Sequence, residues 1–106
     1  MAFRNQAFHQ SAASVYVTGG SGSSSAATEV QSGTGPKASV WRIRNRDATN
    51  SVNIKLGNST VQADATTCMG LGAGQTELFG RQGATHIAAW GIGGAVVIEV
   101  TPGEGI

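Results

Sequence analysis

SVWRIRNRDATNSVNIKL, residues 39–56, decides the fold. In its first half Trp41 and Ile43 alternate with Arg42, Arg44 and Arg46. In its second half Val52, Ile54 and Leu56 alternate with Asn53 and Lys55. A period of two belongs to a half-buried β-strand, whose successive side chains point to opposite faces. Between the halves, DATNS at 47–51 is rich in turn formers. The stretch therefore predicts two strands with apolar inner faces, joined by a turn.

The signal recurs on both sides. SVYVT, residues 14–18, puts Val15 and Val17 on one face and Tyr16 on the other. Residues 60–63 begin a further short strand, and 67–71 form another. Gly70, Gly72 and Gly74 bend the chain before a strand at 76–79. THIAAW at 85–90 is a strand, the Gly-Gly pair within 91–94 predicts a hairpin turn, and AVVIEVT at 95–101 closes the series before a tail at 102–106. Short strands at this spacing predict an all-β chain, a sandwich or small barrel. The expected architecture is one β-sandwich domain, jelly-roll or immunoglobulin-like, over residues 14–106. MAFRNQAFHQSAA, residues 1–13, has no sustained periodicity and is expected to form an extended N-terminal arm. Residues 19–37 are dominated by glycine and serine, a composition that predicts a mobile loop with a short strand around 28–31.

Composition narrows the function classes. Of 106 residues, 16 are glycine, 15 alanine, 10 serine and 10 threonine, and leucine occurs only three times, which excludes a helical bundle. No run of ~18 apolar residues is present, so no helical membrane span is expected. No basic start followed by an apolar stretch reads as a signal peptide. One cysteine, Cys68, excludes an internal disulfide and any multi-cysteine metal site. The net charge is +1 and 12% of residues are charged. That balance does not suit a nucleic-acid binder, which carries a marked basic excess. It also does little to keep protein surfaces apart. The 25 large apolar side chains are few for ordering a chain of this length, so burial against a partner or a second copy is the expected supplement.

Little catalytic chemistry is legible. His9 and His86 lack further ligands at metal-binding spacing. No G-x-S-x-G elbow is present to expose a nucleophilic serine. The carboxylates Glu29, Asp47, Asp64, Glu77, Glu99 and Glu104 are scattered, with no acid/base pair among them. Gly70-x-Gly72-x-Gly74 would cradle phosphate only if it opened a helix, and QTELFG after it reads as a strand. Cys68 stands without a nearby base or cation and is expected to pack as a small hydrophobe. No enzyme, cofactor or small-molecule substrate is expected.

Two features point to a protein partner. Arg42, Arg44 and Arg46 fall on one strand face, three of the seven cations on one stripe. Such a stripe can be a solvated sheet face or can dock on an acidic protein surface. Phe3 and Phe8 in the arm have no periodic partners locally and can serve as aromatic anchors on a neighbour, with Arg4 and Asn5 as a polar rim.

From 41 to 105 the chain resembles the small β-sandwich decoration, or cement, proteins of tailed bacteriophages. The likeness is carried by VWRIRNRDATNSVNIKLGN, GLGAGQTELF, THIAAWG and GGAVVIEVTPGEG. It implies a non-enzymatic virion protein that binds the outside of an assembled capsid and bridges neighbouring major capsid subunits. It would be made in the host cytoplasm and form a homo-oligomer or touch neighbouring copies of itself. Phe3, Arg4, Phe8, Arg42, Arg44 and Arg46 would then be partner contacts. A neck, tail or fibre-base component is the alternative within virions. A carbohydrate-binding module, stacking sugars on Trp41, Trp90 or Tyr16, is the alternative outside them.

Overall fold

A computed structural model describes residues 8–31 and 38–104. The chain is all-β, as expected. Its strands are β1 (His9–Gln10), β2 (Val15–Ser21), β3 (Thr28–Glu29), β4 (Val40–Asn45), β5 (Ser51–Gly57), β6 (Met69–Leu71), β7 (Thr76–Gly80), β8 (His86–Ile92) and β9 (Val96–Glu104). They form a path β6-β5-β8-β2-β9-β4-β7, with β1 added to β9 and β3 to β8. The result is one mixed sheet, nearly closed into a barrel.

The bend that closes it lies in β2. Val15 to Gly19 pair antiparallel with β9, whereas Gly20 and Ser21 pair parallel with β8. This changeover needs close backbone approach. A side chain on Gly91 would collide with the carbonyl oxygen of Gly94 and lie 2.9 Å from that of Gly20. The expected hairpin at 91–94 is therefore corrected. The chain does turn there, but β8 and β9 flank β2 on opposite sides instead of pairing with each other.

Residues 19–31, expected as a mobile loop, are largely built into the sheet. The Ser25 N–H donates to the Ala89 carbonyl at 2.8 Å, and the Ala89 N–H donates to Ser25 Oγ at 3.0 Å. Serine here completes the edge of β8, and β3 pairs with His86 and Ile87 farther along. Residues 32–37 lie outside the described residues. The strand expected at 60–63 is instead a turn, with the Val61 N–H on the Asn58 carbonyl at 3.0 Å. The expected tail is strand as far as Glu104, because Pro102 and Gly103 continue the pairing of β9 with β4.

Alternation fixes the core. Val17, Trp41, Ile43, Val52, Ile54, Ile87, Val96, Ile98 and Val100 are buried on the inner faces. The Trp41 indole N–H donates to Gln31 Oε1 at 2.8 Å. Asn45, fully buried, continues the inner face of β4 and ties two parts of the barrel together. Its amide donates to the Asn50 carbonyl at 2.9 Å and to the Leu71 carbonyl at 3.2 Å. Among the described residues no buried side-chain nitrogen or oxygen lacks a partner. Each therefore recovers in the fold the hydrogen bonding it gives up to water.

Candidate docking face

With Trp41, Ile43 and Asn45 turned inward, β4 must present Arg42 and Arg44 outward, and both are exposed. Arg46 lies one residue past the strand, but its N–H donates to the Val97 carbonyl at 3.0 Å, so the ladder carries it onto the same exposed face. The expected arginine stripe is present in the fold.

Strand register supplies its neighbours. Arg44 stands between Thr76 on β7 and Glu99 on β9, and Glu99 stands opposite Tyr16 on β2. Tyr16 is 53% exposed, the most exposed of the large apolar side chains among the described residues. The guanidinium carbon of Arg46 lies 5.2 Å from the centre of the Tyr16 ring, and Arg46 Nη1 donates to the Tyr16 hydroxyl at 3.1 Å. That hydroxyl in turn donates to Glu99 Oε2 at 3.2 Å. Glu99 thus lies on the same face as the three arginines, opposite Arg44 in register and linked to Arg46 through Tyr16. The face is therefore cationic although the chain as a whole is nearly neutral.

Arg42 has an aromatic neighbour too. Its guanidinium carbon lies 5.3 Å from the centre of the Phe8 ring. Phe8 reaches this place because Gly103 has no side chain; a Cβ on Gly103 would collide with the ring. β1 follows at once, with His9 opposite Glu104 and Gln10 opposite Gly103. Residues 8–10, expected in an arm that buries its aromatics on a neighbour, thus pack on the chain's own sheet. Phe8 is half-buried there and keeps one side for other contacts. Phe3, Arg4 and Asn5 lie outside the described residues. Sequence reasoning did not place Tyr16 and Glu99 in this site, although the odd position in SVYVT and the charge within AVVIEVT were signals for both.

The remaining candidates make local contacts. The Thr85 hydroxyl and His86 Nδ1 share a hydrogen bond of 2.8 Å, and no cluster of metal-ligating side chains occurs among the described residues. Cys68 is half-buried and its sulfur accepts the Asp64 N–H at 3.3 Å. Residues 72–75 form the turn between β6 and β7, closed by the Gln75 N–H on the Gly72 carbonyl at 3.1 Å. Asp64 caps the turn that follows it. Its carboxyl is lowered to about 2, first by the Thr67 hydroxyl and then by the Thr67 and Thr66 N–H groups. Asp47 is lowered in the same way by the N–H groups of Asn50 and Thr49. Trp41 is fully buried and Trp90 half-buried, which leaves Tyr16 as the exposed aromatic among the three weighed as sugar-stacking groups.

In comparisons with known proteins, no family model, no curated protein and no solved structure matches this chain.

Proposed function

We propose that this chain is a non-enzymatic structural protein that docks on a larger protein assembly, as decoration proteins dock on the outside of a capsid. The observation that carries this is the exposed stripe of Arg42, Arg44 and Arg46, set among Phe8 and Tyr16 on one rigid sheet face. Arginine and tyrosine are the residue types that anchor protein interfaces. Strand pairing fixes their spacing, so little ordering cost remains when the face is covered. In this proposal the partner is a major capsid protein with an acidic outer surface, and the site of action is the capsid exterior. The two halves of the bent sheet act as the layers of the jelly-roll or immunoglobulin-like sandwich that the resemblance implies. Many copies, in contact with one another, add weak contacts into a firm attachment.

The test uses purified empty capsid shells. Binding that saturates at hundreds of copies per particle and raises the melting temperature of the shell supports the proposal. Saturation at tens of copies or fewer favours a neck, tail or fibre-base component. Failure to bind any virion part overturns both.

A further inference from the structure

The two ends of the sheet path, β6 and β7, border the gap in the barrel. A groove of about 760 Å³ lies along that seam. Ile54, Leu56 and Met69 line one side of it, and Leu78 and Phe79 line the other. Met69 is 46% and Leu78 36% exposed, two of the five large apolar side chains left exposed among the described residues, and these two share one groove.

The backbone of β7 divides into two sets of groups. β7 pairs with β4 along one edge, and among the described residues no strand pairs its other edge. Just before β7, the Asn45 N–H bonds to the Gln75 carbonyl at 2.9 Å; just after it, the Arg81 N–H bonds to the Ser39 carbonyl at 3.1 Å. Antiparallel ladders alternate between residues whose N–H and C=O face the partner strand and residues whose groups face away. With 75 and 81 turned toward the β4 side, Glu77 and Phe79 follow them. The backbone groups of Thr76, Leu78 and Gly80 therefore face the seam. An edge offering donors and acceptors at every second residue, beside an apolar trough, is what an added strand requires.

Charge states what the strand should carry. Lys55 and Arg81 line the groove, and no carboxylate does. Arg81 donates to the carbonyls of Ala38 and Ala84, which leaves the exposed Lys55 as the cation available to an occupant. Glu77, on β7 itself, is exposed outside the lining. We propose that the seam accepts an extended segment of a partner protein with alternating apolar and acidic side chains, which adds to β7 as a further strand. Its apolar side chains cover Leu56, Met69 and Phe79, and its carboxylates face Lys55. Arg42 and Arg44 stand one strand away, opposite Leu78 and Thr76, and do not line the groove, so the experiment below tests this site apart from the function proposed above.

The probe is a capped octapeptide of alternating valine and glutamate, with a valine and lysine counterpart as control. Amide hydrogen exchange is followed in the intact protein. The valine–glutamate peptide at saturation slows exchange at Thr76, Leu78 and Gly80 about tenfold, and the lysine counterpart does so less. Lys55→Glu, an exposed substitution, reverses that preference. Leu78→Pro removes one seam-facing donor and weakens the peptide; if that variant does not fold, Lys55→Glu and the exchange data still decide. The proposal is overturned if millimolar peptide leaves these amides unprotected, or if both peptides protect equally. It is also overturned if protection appears without peptide and grows with protein concentration, which makes a second copy the occupant.

Discussion

Arg42 and Phe8, 34 positions apart in the chain, stack with the guanidinium carbon 5.3 Å from the ring centre, above the bare backbone of Gly103. This contact ties the residue just before β1 to the docking face, where β1 pairs with β9. Phe8→Ala removes a half-buried ring and the stack together, at a cost of about 1–2 kcal/mol. Phe8→Leu keeps the apolar contact and loses only the stack. Urea unfolding of both variants, each with and without Arg42→Ala, gives the coupling directly. A value near zero in that cycle would show the two residues to be neighbours without mutual stabilisation.

Gly91 is the residue on which the bend of β2 depends. Gly91→Ala puts a methyl group into the Gly94 carbonyl, with the Gly20 carbonyl 2.9 Å away. Backbone on both sides cannot yield cheaply, so a loss of about 2–4 kcal/mol is expected. Gly80→Ala is the control, because nothing lies within 4 Å of its added carbon. A melting temperature unchanged in Gly91→Ala would mean that the crossing of β2 onto β8 is looser than the packing shows.

These residues also show where the sequence was readable. The inner positions of β4 and β5 followed from period-two alternation, and Trp41, Ile43, Val52 and Ile54 are buried accordingly, with Leu56 half-buried; Asn53, on the side read as outer, is buried as well, because its amide is covered by the turn at Asp64 and Ala65. The arginine stripe followed from the same alternation. Pairing did not, because local period carries no information about which strand lies next to which. The Gly93-Gly94 turn looked like a hairpin, yet β2, some seventy residues earlier in the chain, lies between the two strands it joins. Glycine and serine in residues 19–31 signalled mobility by composition. Their small size in fact allows the crossing at Gly19 and Gly20 and the hydrogen bonds of Ser24 and Ser25. Phe8 showed no period, since its place depends on a glycine 95 positions later.

Asn45 tests the closure of the barrel. Asn45→Ala leaves the carbonyls of Asn50 and Leu71 without its amide donor in a buried place. One of the two can recover water more easily than the other, and a total loss of about 2–4 kcal/mol is expected. The m-value should stay the same while the urea midpoint falls. A midpoint unchanged from the parent would remove Asn45 as the tie between β4 and the end of β6.

Acid should loosen the turn that Asp64 caps. The carboxyl sits at about 2 in the folded chain against 3.8 for the ordinary group. Above 3.8 the carboxylate is charged in both folded and unfolded chains, and its bonds to Thr66 and Thr67 contribute in full. As the pH falls from 3.8 toward 2 that contribution is lost. The same turn covers Asn53, whose amide donates to the Asp64 and Ala65 carbonyls at 3.1 Å each. The stability difference between the parent and Asp64→Asn should therefore shrink over this range. Asp47, lowered in the same direction, adds a parallel slope, so the double Asp47→Asn/Asp64→Asn variant should depend on pH less than either single variant. A difference constant from pH 5 to pH 2 would show that Asp64 acts through its shape and not its charge.

The docking face makes the prediction that bears most on function. Arg42 and Arg44 are exposed, and each gains little from a partner unless several charges act together. The double Arg42→Ala/Arg44→Ala variant should bind shells about tenfold more weakly at low salt, with a smaller loss at high salt, where screening has already weakened the parent. Arg46→Ala should behave differently. Its guanidinium lies over Tyr16 and bonds its hydroxyl, so its removal frees the tyrosine ring as well as deleting a charge. That loss should persist at high salt, because ring position is less sensitive to screening than a long-range field. Equal salt dependence for both variants would reduce the face to a simple field of positive charge, and no salt dependence in either would remove the arginines from the contact altogether.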